Sequence, residues 1–291
     1  MRTPSPLWTA RGLWVLLPLS VGELLTAAVR DRSTPVAVTV AALAWAVWVA
    51  ALPALLRPMP AMLTALRVLA PVPLVAGTVA AVEAAPNLLG WLGLVNAALV
   101  LACAMTAEVG SFYVDAASYG DERRFTLKAP AFVLVTAPVV WVLMTVPLAA
   151  GALLLAARTW VLGGVLVALG GGAAFLGARI LHRLSLRWLV VVPAGVTLVD
   201  PLALTQPSLF AARQMTRVGP AHVGTTALDL TAGAPGLVLQ LDTSPATEVV
   251  PVVGRGATAD VVQAAAVLVC PSRPGAVLAE LEARGLPVAR D

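Results

Sequence analysis

Charged residues are scarce in this sequence. They make up 12% of its 291 residues, whereas soluble domains carry about 25%. A chain of this composition cannot cover a water-facing surface throughout, so a soluble globular protein is excluded. Hydrophobic residues make up 59% of the chain, and the mean hydropathy is +0.91. We therefore expect an integral membrane protein.

Cysteine and histidine are almost absent. The two cysteines, Cys103 and Cys270, provide neither a disulfide framework nor the spacing of a metal site. We expect Cys270 to be a reduced thiol in a cytosolic domain. The two histidines, His182 and His222, have no Cys, Asp or Glu partner at ligand spacing. The sequence therefore predicts no metal ion and no cofactor.

Motifs of common enzyme classes are also missing. No Gly-x-Ser-x-Gly nucleophile motif occurs in the sequence. The glycine run at residues 170–172 lacks the Lys-Ser or Lys-Thr pair of a phosphate-binding loop. Because small residues let helix backbones approach closely in lipid, the run predicts tight helix packing instead. We expect a protein that is not an enzyme.

Basic residues outnumber acidic residues by 19 to 15, and every basic residue except Lys128 is an arginine. They cluster at the ends of apolar segments, where membrane topology alone requires them. The basic isoelectric point of about 9.8 therefore reflects membrane orientation, and we expect no nucleic-acid partner. Richness in Arg, Ala, Gly, Pro and Val is typical of a bacterial genome with a high GC content.

Long apolar runs dominate the first two thirds of the chain. Six of these runs are near or above the roughly 17–25 residues that a membrane-spanning helix needs. Pro71 and Pro73 interrupt the third run, and the fifth is long enough that it must tilt, kink or protrude. We expect a multi-pass bundle of about six transmembrane helices. The runs cover residues 13–29, 36–56, 66–82, 88–109, 129–157 and 160–180.

The charges between these runs predict their orientation. Ten Arg and Lys residues fall on one side of the predicted bundle and three on the other. Because positive residues are retained on the cytoplasmic side, we expect both termini in the cytoplasm and the protein in the inner membrane. The ten are Arg2, Arg11, Arg57, Arg67, Arg123, Arg124, Lys128, Arg179, Arg183 and Arg187, and the three are Arg30, Arg32 and Arg158.

The character of the chain changes at residues 177–200. Arg179 lies at the end of the last apolar run, and Arg183 and Arg187 follow it. Such a basic cluster is expected where a helix leaves the bilayer on its cytoplasmic side. We therefore interpret these three residues as a membrane-border cluster.

Short strands and one final helix are predicted after this border. Turn-forming Pro and Gly residues separate runs of alternating or β-branched residues, and Pro274 begins an amphipathic helix over 274–284. We divide the chain into a transmembrane domain, 1–184, and a cytoplasmic β-rich domain, 185–291. The predicted strands cover 188–192, 196–199, 226–231, 236–241, 247–253 and 267–270.

Two stretches of the second domain resemble the bacterial pleckstrin-homology-like domain. They are the opening hairpin RWLVVVPAGVTLVD, residues 187–200, and the closing helix RPGAVLAELEARG, residues 273–285. The resemblance implies a small barrel or sandwich closed by one amphipathic helix. It also implies a binding or assembly module, because that fold usually carries interaction surfaces rather than catalysis.

The cytoplasmic loop at residues 110–128 is the first candidate site. It contains aromatic and arginine side chains, which are enriched in interface anchors. This composition predicts that the loop packs against the β-rich domain or a partner protein. The alternative is an interfacial aromatic belt with arginines that fix the topology. The candidate interaction residues are Phe112, Tyr113, Tyr119, Arg123 and Arg124.

The second candidate is Glu23, which lies within the first apolar run. An ionisable side chain inside a membrane segment indicates function by default, because its burial is expensive. The alternative, which we favour, places Glu23 near the outer interface with Arg30 or Arg32 as its partner.

Because catalytic constellations are missing, we expect a scaffold, assembly or regulatory subunit that acts through its cytoplasmic domain. The expected partners are membrane lipids and a protein on the cytoplasmic face. The first alternative is a transporter or channel component, based on Glu23 and on the proline-interrupted third and fifth runs. The second is an intramembrane enzyme that acts on lipid substrates, which would need paired acidic or histidine side chains.

Overall fold

The structure, a computed structural model, describes residues 3–252 and 260–289. Arg2 of the predicted orientation and Val253 of one predicted strand lie outside the described residues. The chain forms two compact units, each built from two segments. They are the helical unit, Met1–Phe112 with Thr136–Leu181, and the β domain, Tyr113–Val135 with His182–Asp291.

Helices make up most of both segments of the helical unit. They are α1 Ser5–Ala28, α2 Thr34–Leu56, α3 Pro60–Leu69, α4 Pro71–Glu83, α5 Leu88–Ala104, α6 Ala107–Asp115, α7 Val133–Ala156 and α8 Trp160–Ser185. Each of α1 to α4 has a proline in its first turn. A helix begins readily there because the first N–H groups have no intrahelical partner.

Five helices of the described residues are long and apolar enough to cross a membrane. One of them is Pro60–Glu83, which combines α3 and α4, and a sixth results if α5 and α6, bent by 52°, count as one span. In α2 only 6% of the most apolar window is buried inside the protein. Apolar faces of this extent require a cover other than water. The helical region is therefore compatible with a multi-pass membrane protein.

At two proline breaks in these helices, a side chain of a neighbouring helix donates a hydrogen bond to a backbone carbonyl. Pro18 lacks the N–H that would bond the carbonyl of Trp14, and this carbonyl accepts a hydrogen bond from Trp48 Nε1 at 3.0 Å. The Nε1 of Trp14 donates in return to the carbonyl of Trp48 at 3.1 Å. Pro71 begins α4 after the break, and Trp141 Nε1 donates to the carbonyl of Val68 at 2.8 Å. Irregular backbone is thus paired within the protein, as a bilayer requires.

Glycines on α8 contact α7 at a spacing of seven residues. A Cβ atom added at Gly163, Gly170 or Gly177 would lie within 3.0 Å of Leu155, Leu148 or Met144, respectively. At Gly170 the nearest atom would be the backbone nitrogen of Leu148, at 2.8 Å. The predicted close packing therefore holds for Gly170, while Gly171 and Gly172 have open space beside them.

In the part of the β domain that the structure describes, two four-stranded sheets are followed by a helix. Its elements are β1 Arg123–Thr126, β2 Trp188–Val192, β3 Gly195–Val199, β4 Ser208–Ala211, β5 Met215–Pro220, β6 Leu228–Asp229, β7 Leu239–Val249, β8 Val262–Val269 and α9 Pro274–Ala283. The first sheet has the order β1-β2-β3-β4 and the second β5-β7-β8-β6. All neighbouring strands are antiparallel except β6 and β8. Val277 and Leu281 of α9 are buried in the same core as the inner faces of both sheets.

The prediction of a helical region with a C-terminal β-rich domain and a closing helix is confirmed. The hairpin of β2 and β3 and the helix α9 lie where the sequence places them. The predicted strands 236–241 and 247–253 instead contribute to one strand, β7, whose register with β8 shifts between Asp242 and Thr247. Pro245 lies in this irregular stretch, where its missing N–H cannot join the ladder.

Strands β4 and β5 were not predicted, and neither was strand β1. It forms inside the 110–128 loop and pairs along its whole length with β2, from Arg123 opposite Val191 to Thr126 opposite Trp188. The loop that was assigned to the transmembrane domain therefore supplies an edge strand of the β domain.

Candidate functional site

The segment from Asp115 to Arg124 is held in place by one buried carboxylate. Oδ1 of Asp115 accepts hydrogen bonds from the backbone N–H of Arg124 at 2.8 Å and from the hydroxyl of Ser118 at 3.1 Å. Its Oδ2 pairs with Nη1 of Arg123 at 3.0 Å. Asp115 thus joins the end of α6 to the beginning of β1.

The tip of this segment, residues 119–122, is fixed by further hydrogen bonds. The backbone N–H of Tyr119 donates to Oε1 of Glu122 at 2.6 Å, and the backbone N–H of Glu122 donates to the carbonyl of Tyr119 at 3.1 Å. Gly120 has φ of +55° and supplies the left-handed turn. Arg284, just after α9, donates to the carbonyl of Asp121. The result is an ordered tip that exposes 82% of Tyr119.

The remaining candidate interaction residues lie in different environments. Tyr113 is fully buried, and Phe112 is partly buried. The side chain of Arg123 is 43% exposed beside its ion pair with Asp115. Arg124 pairs with Glu122 at 2.6 Å and lies over the ring of Trp188, 5.5 Å from its centroid. Of the predicted set, Tyr119 and Arg123 are therefore the side chains most available to a partner.

The three residues of the predicted membrane-border cluster lie in two different environments. Arg179 and Arg183 are exposed on α8, and Arg179 stacks on Phe175 at 4.4 Å. Arg187 is 1% exposed, in the interior of the β domain. It therefore has a structural role there and is not a surface charge.

Arg187 and Asp200 form a buried, doubly hydrogen-bonded ion pair. Nε and Nη2 of Arg187 donate to the two carboxylate oxygens at 2.8 and 2.7 Å. The guanidinium also donates to the carbonyls of Lys128 at 2.7 Å and Thr231 at 3.3 Å. This side chain thereby connects the segment after β1, the hairpin of β2 and β3, and the turn after β6. Trp188 pairs with Val199 in the hairpin, so extending the predicted hairpin by one pair would have placed the two charges opposite each other.

A cleft of about 510 Å³ lies within the helical unit, at the end of α1 and the beginning of α5. Charged and polar side chains from two loops and two helix ends line it. They are Glu23, Arg30, Asp31, Arg32, Glu83 and Asn87.

Glu23 lies in this cleft, but neither predicted arginine pairs with it. Its Oε1 accepts a hydrogen bond from Nδ2 of Asn87 at 2.7 Å. Arg32 instead pairs with Glu83 at 2.7 Å, and both of those side chains are about half exposed. Arg30 makes no ion pair with any described residue. The partner of Glu23 is therefore Asn87 and not Arg30 or Arg32, while its position near the outer interface stays a prediction.

Cys270 is buried in the β domain beside the only lysine. Its thiol lies 3.6 Å from the carbonyl of Leu237, and the backbone N–H of Lys128 donates to its carbonyl at 2.8 Å. Burial raises the pKa of the Cys270 thiol, and the positive charges of Lys128 and Arg187 partly oppose this shift. A buried thiol with a raised pKa is a poor nucleophile. Across the described residues, no three His, Cys, Asp or Glu side chains converge as metal ligands would.

Comparison with protein-family models, with curated proteins and with solved structures gives no match to this chain. The chain has two candidate sites among the described residues, the Tyr119 tip in the β domain and the cleft in the helical unit.

Proposed function

We propose that this is a non-enzymatic membrane protein that acts as a scaffold, assembly or regulatory subunit by binding a partner protein through its β domain. The observation that carries the proposal is the Tyr119 tip: an aromatic side chain that is 82% exposed on a loop fixed by hydrogen bonds at both ends. Aromatic residues dominate binding energy in protein interfaces.

The order of the tip strengthens this proposal. Association requires that loops and side chains lose freedom, and a loop already fixed in its bound form avoids much of that cost. The tip is held by Asp115 on one side and by Arg284 on the other. An exposed tyrosine in such a loop has two rotatable side-chain bonds left to order.

The cellular membrane, the orientation of the chain and the fold family of the β domain are also part of the proposal. The excess of arginine on one side of the helices supports an inner-membrane protein of a bacterial cell with both termini in the cytoplasm. Two four-stranded sheets followed by α9 support a pleckstrin-homology-like β domain. Such domains serve as binding modules, although fold alone decides no function.

Replacement of Tyr119 tests the proposal. The intact protein is purified in mild detergent with everything that accompanies it, and the Tyr119→Ala variant is compared with wild type by quantitative mass spectrometry. We expect a stoichiometric partner whose recovery falls at least about tenfold, because loss of an interface anchor costs about 2 kcal/mol or more and about 1.4 kcal/mol already corresponds to a factor of ten. A photoreactive benzoylphenylalanine at position 119 should cross-link the same partner.

Two variants control this experiment. Tyr119→Phe keeps the ring and should retain the partner. Val223→Ala changes a different exposed side chain of the β domain and should leave recovery of the partner unchanged. Arg123→Gln should also weaken recovery, since it removes a partly exposed charge and the ion pair to Asp115. Equal recovery of the partner by wild type and Tyr119→Ala, or no stoichiometric partner at all, would refute the proposed role of the tip.

A further inference from the structure

The cleft of the helical unit is lined by charged side chains of both signs. Some of these side chains form an ion pair with each other, and others form none. Arg32 and Glu83 neutralise each other. Asn87 donates one hydrogen bond to Oε1 of Glu23, and its own Oδ1 accepts the N–H of Gly90 at 2.9 Å. Asn87 therefore positions Glu23 without neutralising its charge.

Three charged side chains of the cleft have no ion pair among the described residues. They are the carboxylates of Glu23 and Asp31 and the guanidinium of Arg30. The second carboxylate oxygen of Glu23 accepts no hydrogen bond from a described residue either. A ligand that fits this set brings a hydrogen-bond-donating cation for Glu23 and an anionic group for Arg30.

We propose that the cleft binds a small zwitterion in which a primary ammonium is joined to a phosphate or carboxylate by a short chain. The ammonium contacts Glu23, and the anionic group contacts Arg30. Asp31 adds a second carboxylate at the mouth, which gives the unpaired lining a net negative charge and favours an amine over a simple anion.

Depth along α1 sets the orientation of the ligand. Glu23 is five residues before the last residue of the helix, Ala28, or about 8 Å inside its end at 1.5 Å per residue. Arg30 lies in the loop beyond that end. The ligand therefore enters from the aqueous side with its ammonium first. In a phospholipid seated in a bilayer the phosphate lies deeper than the terminal ammonium, which is the reverse of the order of Glu23 and Arg30, so a water-soluble molecule suits the cleft better than a lipid.

The cleft is large enough to hold a ligand of this class. Sites for small molecules enclose about 300–1,000 Å³, and the cleft has about 510 Å³. This binding site is independent of the Tyr119 tip, which lies in the other unit. Each can hold if the other fails.

Calorimetric titration of the full chain in mild detergent tests the proposal. The probe is phosphoethanolamine, and ethyl phosphate, which lacks the ammonium, is the matched analogue. We expect wild type to bind phosphoethanolamine at least about tenfold more tightly than ethyl phosphate, because one charge-assisted hydrogen bond is lost. This comparison needs no variant and does not depend on a variant's folding.

Substitutions then assign the contacts. Glu23→Gln should weaken phosphoethanolamine binding about tenfold and leave ethyl phosphate unaffected, and Arg30→Gln should weaken both. Arg158→Gln, which changes an exposed arginine outside the cleft, should have no effect. A second titration with dihexanoyl phosphatidylethanolamine distinguishes a soluble ligand from a lipid. If only the lipid binds, and Glu23→Gln weakens its binding, the ligand is a membrane lipid that carries the same ammonium and phosphate groups. No binding of either probe at millimolar concentration, or equal binding by Glu23→Gln and wild type, would overturn the proposal.

Discussion

The buried ion pair of Arg187 and Asp200 gives the sharpest test of how the β domain is held together. Asp200→Asn preserves the shape of the side chain and removes its charge. It leaves the Arg187 guanidinium buried without a counter-charge, with the carbonyls of Lys128 and Thr231 and the amide oxygen of the new asparagine as its acceptors. Nη2 of Arg187 donates to Oδ2 of Asp200 at 2.7 Å. In one orientation of the asparagine amide, an NH2 group replaces this oxygen and two donors face each other.

The expected cost follows from this burial. Both side chains are almost completely buried, at 1% and 0% exposure. Removal of one partner from such a pair destabilises a protein by about 3–5 kcal/mol, because the other charge stays buried without compensation. A domain stability of about 5–15 kcal/mol leaves room for the variant to fold. At about 1.4 kcal/mol per factor of ten, the opening equilibrium of the β domain should rise at least about 100-fold.

Hydrogen exchange of the full chain, followed by mass spectrometry, measures this opening. The informative amides are those in the hairpin of β2 and β3, where exchange requires a large opening. Asp242→Asn is the matched control: Asp242 lies 3.8 Å from Arg217 in a pair that is about one fifth exposed on each side, so a loss of at most about 1 kcal/mol is expected. If Asp200→Asn accelerated exchange no more than Asp242→Asn does, the ion pair would not be what holds the β domain together.

Two further predictions concern helix packing and the buried thiol. Gly170→Ala should lower the thermal unfolding midpoint in detergent, because its Cβ would lie 2.8 Å from the backbone of Leu148 and overpacking costs about 1–3 kcal/mol. Gly171→Ala is the control: this position has open space beside it, so the midpoint should stay unchanged or rise. Alkylation of Cys270 at mildly alkaline pH should be slow, because burial raises its pKa and lowers the thiolate fraction, and Lys128→Gln should slow it further by removing a charge that lowers this pKa. Similar midpoints for the two glycine variants, or faster alkylation in Lys128→Gln, would contradict these assignments.

Sequence patterns predicted the parts of the fold that repeat over many residues. Runs of 17 or more apolar residues identify candidate spans whatever their tertiary contacts, and Pro71 marks the break between α3 and α4. The hairpin of β2 and β3 was equally accessible, since Pro193-Ala194-Gly195 separates two β-branched runs. These signals are local, and the structure preserves them.

Several of the missed features depend on contacts between distant segments. Strand β1 has four residues, Arg-Arg-Phe-Thr, and its charges look like membrane-border arginines until β2 lies beside it. Arg187 was misinterpreted for the same reason, because an arginine after an apolar run is usually exposed. The partner of Glu23 is 64 residues away, and no periodicity in the sequence connects the two positions.

The position of β1 in the chain determines how the proposed binding site can be studied. The chain passes between its two units three times, because β1 lies between α6 and α7 and the rest of the β domain follows α8. A truncation before Trp188 would remove every strand that pairs with β1, the Asp200 carboxylate and the Ser272 hydroxyl that bonds Thr126 at 2.6 Å. Loss of a partner after such a truncation would therefore reflect a disrupted Tyr119 tip as much as a missing domain. Substitutions at the exposed tip avoid this ambiguity, since Tyr119 contributes its backbone to the fold and presents its ring to solvent.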